Sequence, residues 1–187
     1  MPRMLRDLAR DASGASAIEF AILAPLLILM YMGAFVVSDM VTCARKVSLT
    51  AHTITDLTTQ YNSVATADTT AIMANAAYVL APYNTANAML RVSELQVVTS
   101  STATVVWSDA GTGATALAVG TTVNLPANLA PPLMVPSQTN SNTGAYFIMG
   151  EISYSYTPAF GANWLPAPNL YNRYFMLPRA HTSVPHT

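Results

Sequence analysis

Charge is what this sequence has least of. Of its 187 residues only 9% are Asp, Glu, Lys or Arg, against roughly 25% in an ordinary soluble domain. A chain this poor in charge either places part of itself in lipid or covers its surface with neutral polar groups. Both signs are present: one long uncharged run lies near the N-terminus, and the remainder is rich in Thr, Ser, Asn and Ala. The eight cations are scattered, apart from Arg3, Arg6 and Arg10, and the net charge is −1. Nucleic-acid binders concentrate Lys and Arg because counterion release drives their affinity, so a nucleic-acid partner is not expected.

Cys43 is the single cysteine, which excludes an intrachain disulfide and any Cys-based metal site. It falls near an apolar helical stripe, where a thiol packs as a small hydrophobe; an intersubunit disulfide is the alternative in an oxidising compartment. His52, His181 and His186 have no metal-ligand spacing. Beyond Asp56 only Asp68, Glu94, Asp109 and Glu151 are acidic, which leaves few candidates for acid–base chemistry. Gly111-Thr112-Gly113 with Gly120 is too sparse for a phosphate loop. The expectation is a non-enzyme with no catalytic residue, no cofactor and no metal.

What is present is the run Phe20 to Val37, 18 residues without a charge. As a helix it spans about 27 Å, close to the bilayer hydrocarbon thickness of about 30 Å; Ala15 to Ile18 extend it past that. A cleaved secretory signal has a shorter core and a small-x-small site after it, whereas Asp39-Met40-Val41-Thr42 follows here. Residues 15–38 therefore read as a transmembrane helix. Three cations precede the run and two, Arg45 and Lys46, follow it, which favours a cytoplasmic N-terminus and an outer bulk.

The junction reads Gly14-Ala15-Ser16-Ala17-Ile18-Glu19-Phe20. Gly-x4-Glu-Phe alone is a weak signal at ordinary residue usage. Behind a short basic leader, at the mouth of the only membrane-length run, it resembles the prepilin peptidase site of type IV pilins and pseudopilins. The resemblance implies cleavage between Gly14 and Ala15, with Glu19 as the fifth mature residue. It also implies a role for Glu19: attracting the free amine of a neighbouring subunit's Ala15 and setting the register of a helical fibre. A glycine before the cut gives the peptidase close backbone access. The other reading of Glu19 is a carboxylate that snorkels to the cytoplasmic interface. Pro25 cannot donate to the carbonyl of Ala21, so a kink is expected there, which membrane helices tolerate and pilin helices commonly carry.

Past Ser38 the spacing of Met40, Ala44, Val47, Ala51 and Ile54 predicts that the helix continues with a narrow apolar stripe, Arg45, Lys46, Thr50 and Thr53 lying opposite. Asp68 is a candidate N-cap for a second helix over residues 71–80, stopped by Pro82. From Met89 the period becomes two, with Leu95, Val97 and Thr99 alternating against Glu94, Gln96 and Val98. A second strand over Thr102 to Ser108 predicts a hairpin turning at Ser100-Ser101. Residues 109–144 read as loop with a short strand near Thr121 to Leu125. Tyr146, Ile148, Ile152, Tyr154 and Tyr156 share one side of the clearest strand, with Glu151, Ser153 and Ser155 on the other. Residues 172–177 offer an edge strand. The predicted fold is α+β, a long N-terminal helix packed across a small antiparallel sheet. Its divisions are a leader (1–14), a transmembrane helix (15–38), an amphipathic extension (39–60) and an outer domain (61–187).

Two segments narrow the resemblance. Gly14 to Pro25, with Ala24-Pro25-Leu26-Leu27, and the distal stretches Gly150 to Phe160 and Tyr174 to Arg179 resemble the TadE-like proteins, minor pilins or pseudopilins of the tight adherence (Tad/Flp) pilus. Ala21 is a departure, since many pilins carry a tyrosine directly after Glu-Phe. The resemblance implies a subunit processed by prepilin peptidase and acting in assembly or initiation of an adhesive pilus. Its partners would be other pilins, the assembly platform and inner-membrane lipid. Its place would be the inner membrane, with the bulk periplasmic and surface exposure after assembly. The alternative is an uncleaved single-pass protein with a periplasmic binding or scaffold domain.

Overall fold

A computed structural model describes residues 13–99, 101–126, 144–158, 160 and 168–187. The leader before Ser13, Ser100 of the expected turn and the Pro-rich stretch 127–143 lie outside the described residues. Helix α1 (Ser13–Thr59) is 47 residues long with Pro25 inside it, a rod of about 70 Å. Helix α2 (Thr66–Ala77) follows, then 3₁₀ turns at Tyr78–Leu80 and Thr85–Asn87. Strands β1 (Ala88–Val97), β2 (Thr102–Ala110), β3 (Thr122–Asn124), β4 (Tyr146–Ser155) and β5 (Asn169–Met176) form one antiparallel sheet in the order β3-β2-β1-β4-β5. The α+β expectation holds.

α2 begins earlier than its sequence suggests. Ala65 is the N-cap, and Asp68 sits three residues in, where its carboxylate accepts the Ala65 N–H at 3.0 Å. A short acidic side chain serves a helix start from inside the first turn as well as from the cap, satisfying one of its otherwise unpaired donors.

Pleating gives the sheet two apolar faces. Leu90, Val92, Ile148, Ile152, Tyr154 and Trp107 face α1, joining Cys43, Val47, Ala51 and Ile54 in the main core. Leu95, Val97, Ala103, Val105, Leu125, Phe147 and Met149 form a second core on the reverse face. This is why β1 shows no clean alternation of buried and exposed residues.

The C-terminal half of α1 buries more than its apolar stripe. Thr50, Thr55, Thr58 and Thr59 are fully buried, correcting the placement of Thr50 on the solvent side. Their hydroxyls donate back to carbonyls one turn earlier: Thr50 to Lys46, Thr55 to Ala51 and Thr58 to Ile54 at 2.8–2.9 Å, and Thr59 to Asp56 at 2.7 Å. A threonine satisfied on its own helix is buried without leaving its hydroxyl unpaired, and the Thr55 hydroxyl also reaches the Tyr174 carbonyl of β5 at 3.5 Å. Opposite them, β4 carries Gly150. A Cβ there would lie 2.8 Å from the Ala51 carbonyl oxygen and closer still to the Thr55 hydroxyl, so the helix lies on the sheet at this crossing because the side chain is missing.

Candidate functional site

The candidate site is the N-terminal part of α1. The helix includes Gly14 and Ala15, runs through Glu19 and Phe20, and passes Pro25 without ending. Glu19 is exposed. So are Phe20, Ile22, Leu23, Leu26, Leu27, Ile28, Leu29 and Met30, each more than half accessible. In the most apolar 18-residue window of this helix, mean hydropathy is 2.5 and no residue is buried inside the protein. Length and composition suit a membrane crossing, and the lack of internal packing distinguishes this helix from the core helix of a soluble domain. The expected processing and register residues, Gly14, Ala15, Glu19 and Phe20, are brought together by one and a half turns of helix. Of these, Glu19 and Phe20 are exposed.

Where the exposed half becomes the buried half, the helix is pinned by a carboxylate. Asp39 accepts hydrogen bonds from the Tyr83 hydroxyl at 2.8 Å and the Tyr156 hydroxyl at 2.6 Å; Tyr83 also donates to the Asp39 carbonyl at 3.0 Å. Burial first, then the bond to Asp39, pushes both phenols well above the ordinary tyrosine range, so they stay protonated donors. Sequence reasoning missed this junction because its partners are 44 and 117 residues apart and none has a local pattern. Four residues earlier on α1, Phe35 meets Phe160 edge-on, ring centroids 5.8 Å apart.

Two further buried carboxylates lie on opposite faces of the sheet, Glu94 on the side of the main core and Glu151 on the reverse side. Glu94 lies on the face opposite Leu95 and Val97, as the alternation predicts, and is 1% exposed there. It accepts from Trp107 Nε1 at 3.1 Å and from the Val184 N–H at 2.6 Å. Burial raises its pKa, and those two bonds oppose the rise. Glu151, on the side of β4 opposite Ile148 and Ile152, is buried too and pairs with Arg91 at 2.5 Å. The Tyr171 hydroxyl also donates to Glu151, and burial and that bond push Tyr171 up to about 12. Arg91, Glu151 and Tyr171 edge a shallow cleft of about 240 Å³. Within the cleft the Arg91 guanidinium pairs with the Glu151 carboxylate, and the tyrosine keeps its proton as a donor. Among the described residues no three His, Cys, Asp or Glu side chains are grouped to hold a metal.

The comparison with curated proteins returned no match, and neither did the comparison with solved structures. A family model does match: residues 14–53, which open on the candidate scissile glycine and close within the buried half of α1, match the TadE-like protein family, consistent with a TadE-like pilin of the tight adherence system.

Proposed function

We propose that this chain is a minor pilin or pseudopilin, stored in the inner membrane through α1, cut after Gly14 by a prepilin peptidase, and used in assembly or initiation of a Tad pilus. The observation that carries the reading is the continuity of α1. One helix is bare and apolar through its first half and packed against the sheet through its second. A subunit stored in lipid and then drawn into a fibre needs such a rod. Lipid covers its apolar half first and neighbouring helices cover it later, with Ala21, Ala24, Gly33 and Ala34 allowing close approach.

The energetics permit storage. On insertion scales Leu, Ile, Phe and Val each contribute about 0.3–0.6 kcal/mol at the bilayer centre. Ten of them lie between Phe20 and Val37, together about 3–6 kcal/mol. A carboxylate at the centre costs about 2.5–3.5 kcal/mol, and Glu19 at the edge costs less. The helix therefore tolerates Glu19, and the register role gives the carboxylate a reason to be there. Prepilin peptidase, the other pilins, the assembly platform and membrane lipid are the partners. The chemistry is structural, with no reaction catalysed.

Mass spectrometry of the membrane-bound protein from a host with an active leader peptidase tests the processing, and the expected mature N-terminus is Ala15. A protein starting at Met1 or Pro2 would instead be the uncleaved scaffold. In the same host, Glu19→Ala should leave the protein in the membrane while piliation drops; normal pili would remove the register role from Glu19.

A further inference from the structure

We infer that the outer domain is seated on the membrane surface at a second point, Phe160, which enters the boundary between headgroups and acyl chains beside Phe35. The inference rests on the reading of α1 as a membrane helix. Phe35 belongs to the uncharged run, three residues inside its outer end at Ser38. It lies about 6 Å along the axis from Asp39, the first charge beyond the run. Phe160 packs on it at 5.8 Å and 68°, so a residue of the outer domain reaches below the level of the first charge.

The chain descends to this point along the helix. Tyr156 is tied to Asp39, and four residues later Phe160 touches Phe35, four residues earlier on α1. After that contact both rings keep about half their surface free, 46% for Phe35 and 50% for Phe160. Such a pair suits the layer where aromatic rings concentrate in membrane proteins. Charge agrees with this placement. From Ile152 to Asn172 the sequence has no Asp, Glu, Lys or Arg, and the one carboxylate at this level is covered by two phenol hydroxyls. Among the described residues here, Tyr156, Thr157, Pro158 and Phe160 bring no charge that headgroups would have to desolvate.

Spin labels on the full chain in phosphatidylethanolamine–phosphatidylglycerol vesicles test this, with Cys43 replaced by alanine so that each label is unique. Labels go to Phe160→Cys, to Leu27→Cys as the bilayer reference and to Met89→Cys as the aqueous one; all three positions are exposed in the protein. Relative accessibility to oxygen over a water-soluble nickel chelate should be severalfold higher at 160 than at 89, and lower than at 27. A label at Thr157, which is exposed and keeps the phenylalanine, should lose that excess on Phe160→Asp. If residue 160 matches residue 89 while residue 27 stays in lipid, the seating is wrong and the membrane helix stands. A label at 160 shielded from both reagents also overturns it, assigning the patch to a neighbouring subunit. A label at 27 that reads as water removes the membrane helix and the seating together.

Discussion

Gly150 shows how much one missing side chain decides. The Ala51 carbonyl would sit 2.8 Å from a Cβ at that position, and backbone on a helix cannot step aside as a side-chain tip can. Gly150→Ala should therefore cost about 1–3 kcal/mol, the usual range for overpacking, with Thr55→Ala recovering part of it by removing the hydroxyl and not the carbonyl; urea unfolding of the detergent-solubilised chain measures both. Glu94 makes a different prediction. Its native pKa is raised by burial, so between the ordinary carboxylate pKa and the raised one the folded protein holds a proton that the unfolded chain has lost. The sign follows from linkage: its contribution is fully present below the unfolded pKa and is lost as pH rises through the native value. Glu94→Gln cannot titrate, so the difference in unfolding free energy between wild type and variant should shift in the variant's favour as pH rises from about 4 to about 7. A constant difference across that range would mean that Glu94 is ionised in the fold.

Among the elements, the last nine residues act as a strap across parts that are distant in sequence. The Arg179 N–H donates to the Thr59 carbonyl where α1 ends, at 2.9 Å. Val64 and the tail exchange two backbone bonds, Val64 N–H to Pro185 and Thr187 N–H to Val64, at 3.0 and 2.9 Å. Trp107 Nε1 donates to the Val184 carbonyl at 2.8 Å, and Asp109 receives His186 at 2.9 Å. Val184 is fully buried at the centre of these ties. Val184→Ala should cost about 2 kcal/mol, from roughly two methylene equivalents of burial and the void they leave. Arg179→Ala should cost well under 1 kcal/mol, because its pair with Asp56 is largely exposed and exposed pairs contribute little. The ranking is readable by thermal unfolding. None of the strap was visible in the sequence: Thr182 to Thr187 has no period, Pro178 precedes it and Pro185 interrupts it. The strands, by contrast, could be read from Tyr146 to Tyr156 because alternation is a local signal. The burial of Glu94 and Glu151 was not legible for a related reason. A charge in a strand is ordinarily a solvent-facing residue, and only the fold reveals the Trp107, Val184, Arg91 and Tyr171 donors that let each carboxylate go inside.

Taken whole, the molecule is a rod with a sheet fastened to one end, and the fastening fixes an angle as well as a position. Thr55, against which Gly150 rests, lies thirty-six residues beyond Glu19, about ten turns at 3.6 residues each. The acidic group at the bottom of the rod thus projects toward the same side as the sheet, some 54 Å away along the axis. Two alanines inserted after Met30 would swing it by about 200° relative to the sheet, and four by about 40°. If subunits meet through that carboxylate, piliation should suffer more from the shorter insertion than from the longer one, a reversal of what added length alone would do. A bare glycine in the fourth strand would then act as a compass for the whole subunit, deciding which flank of the sheet turns toward the next subunit when the bottom of the rod finds its mate.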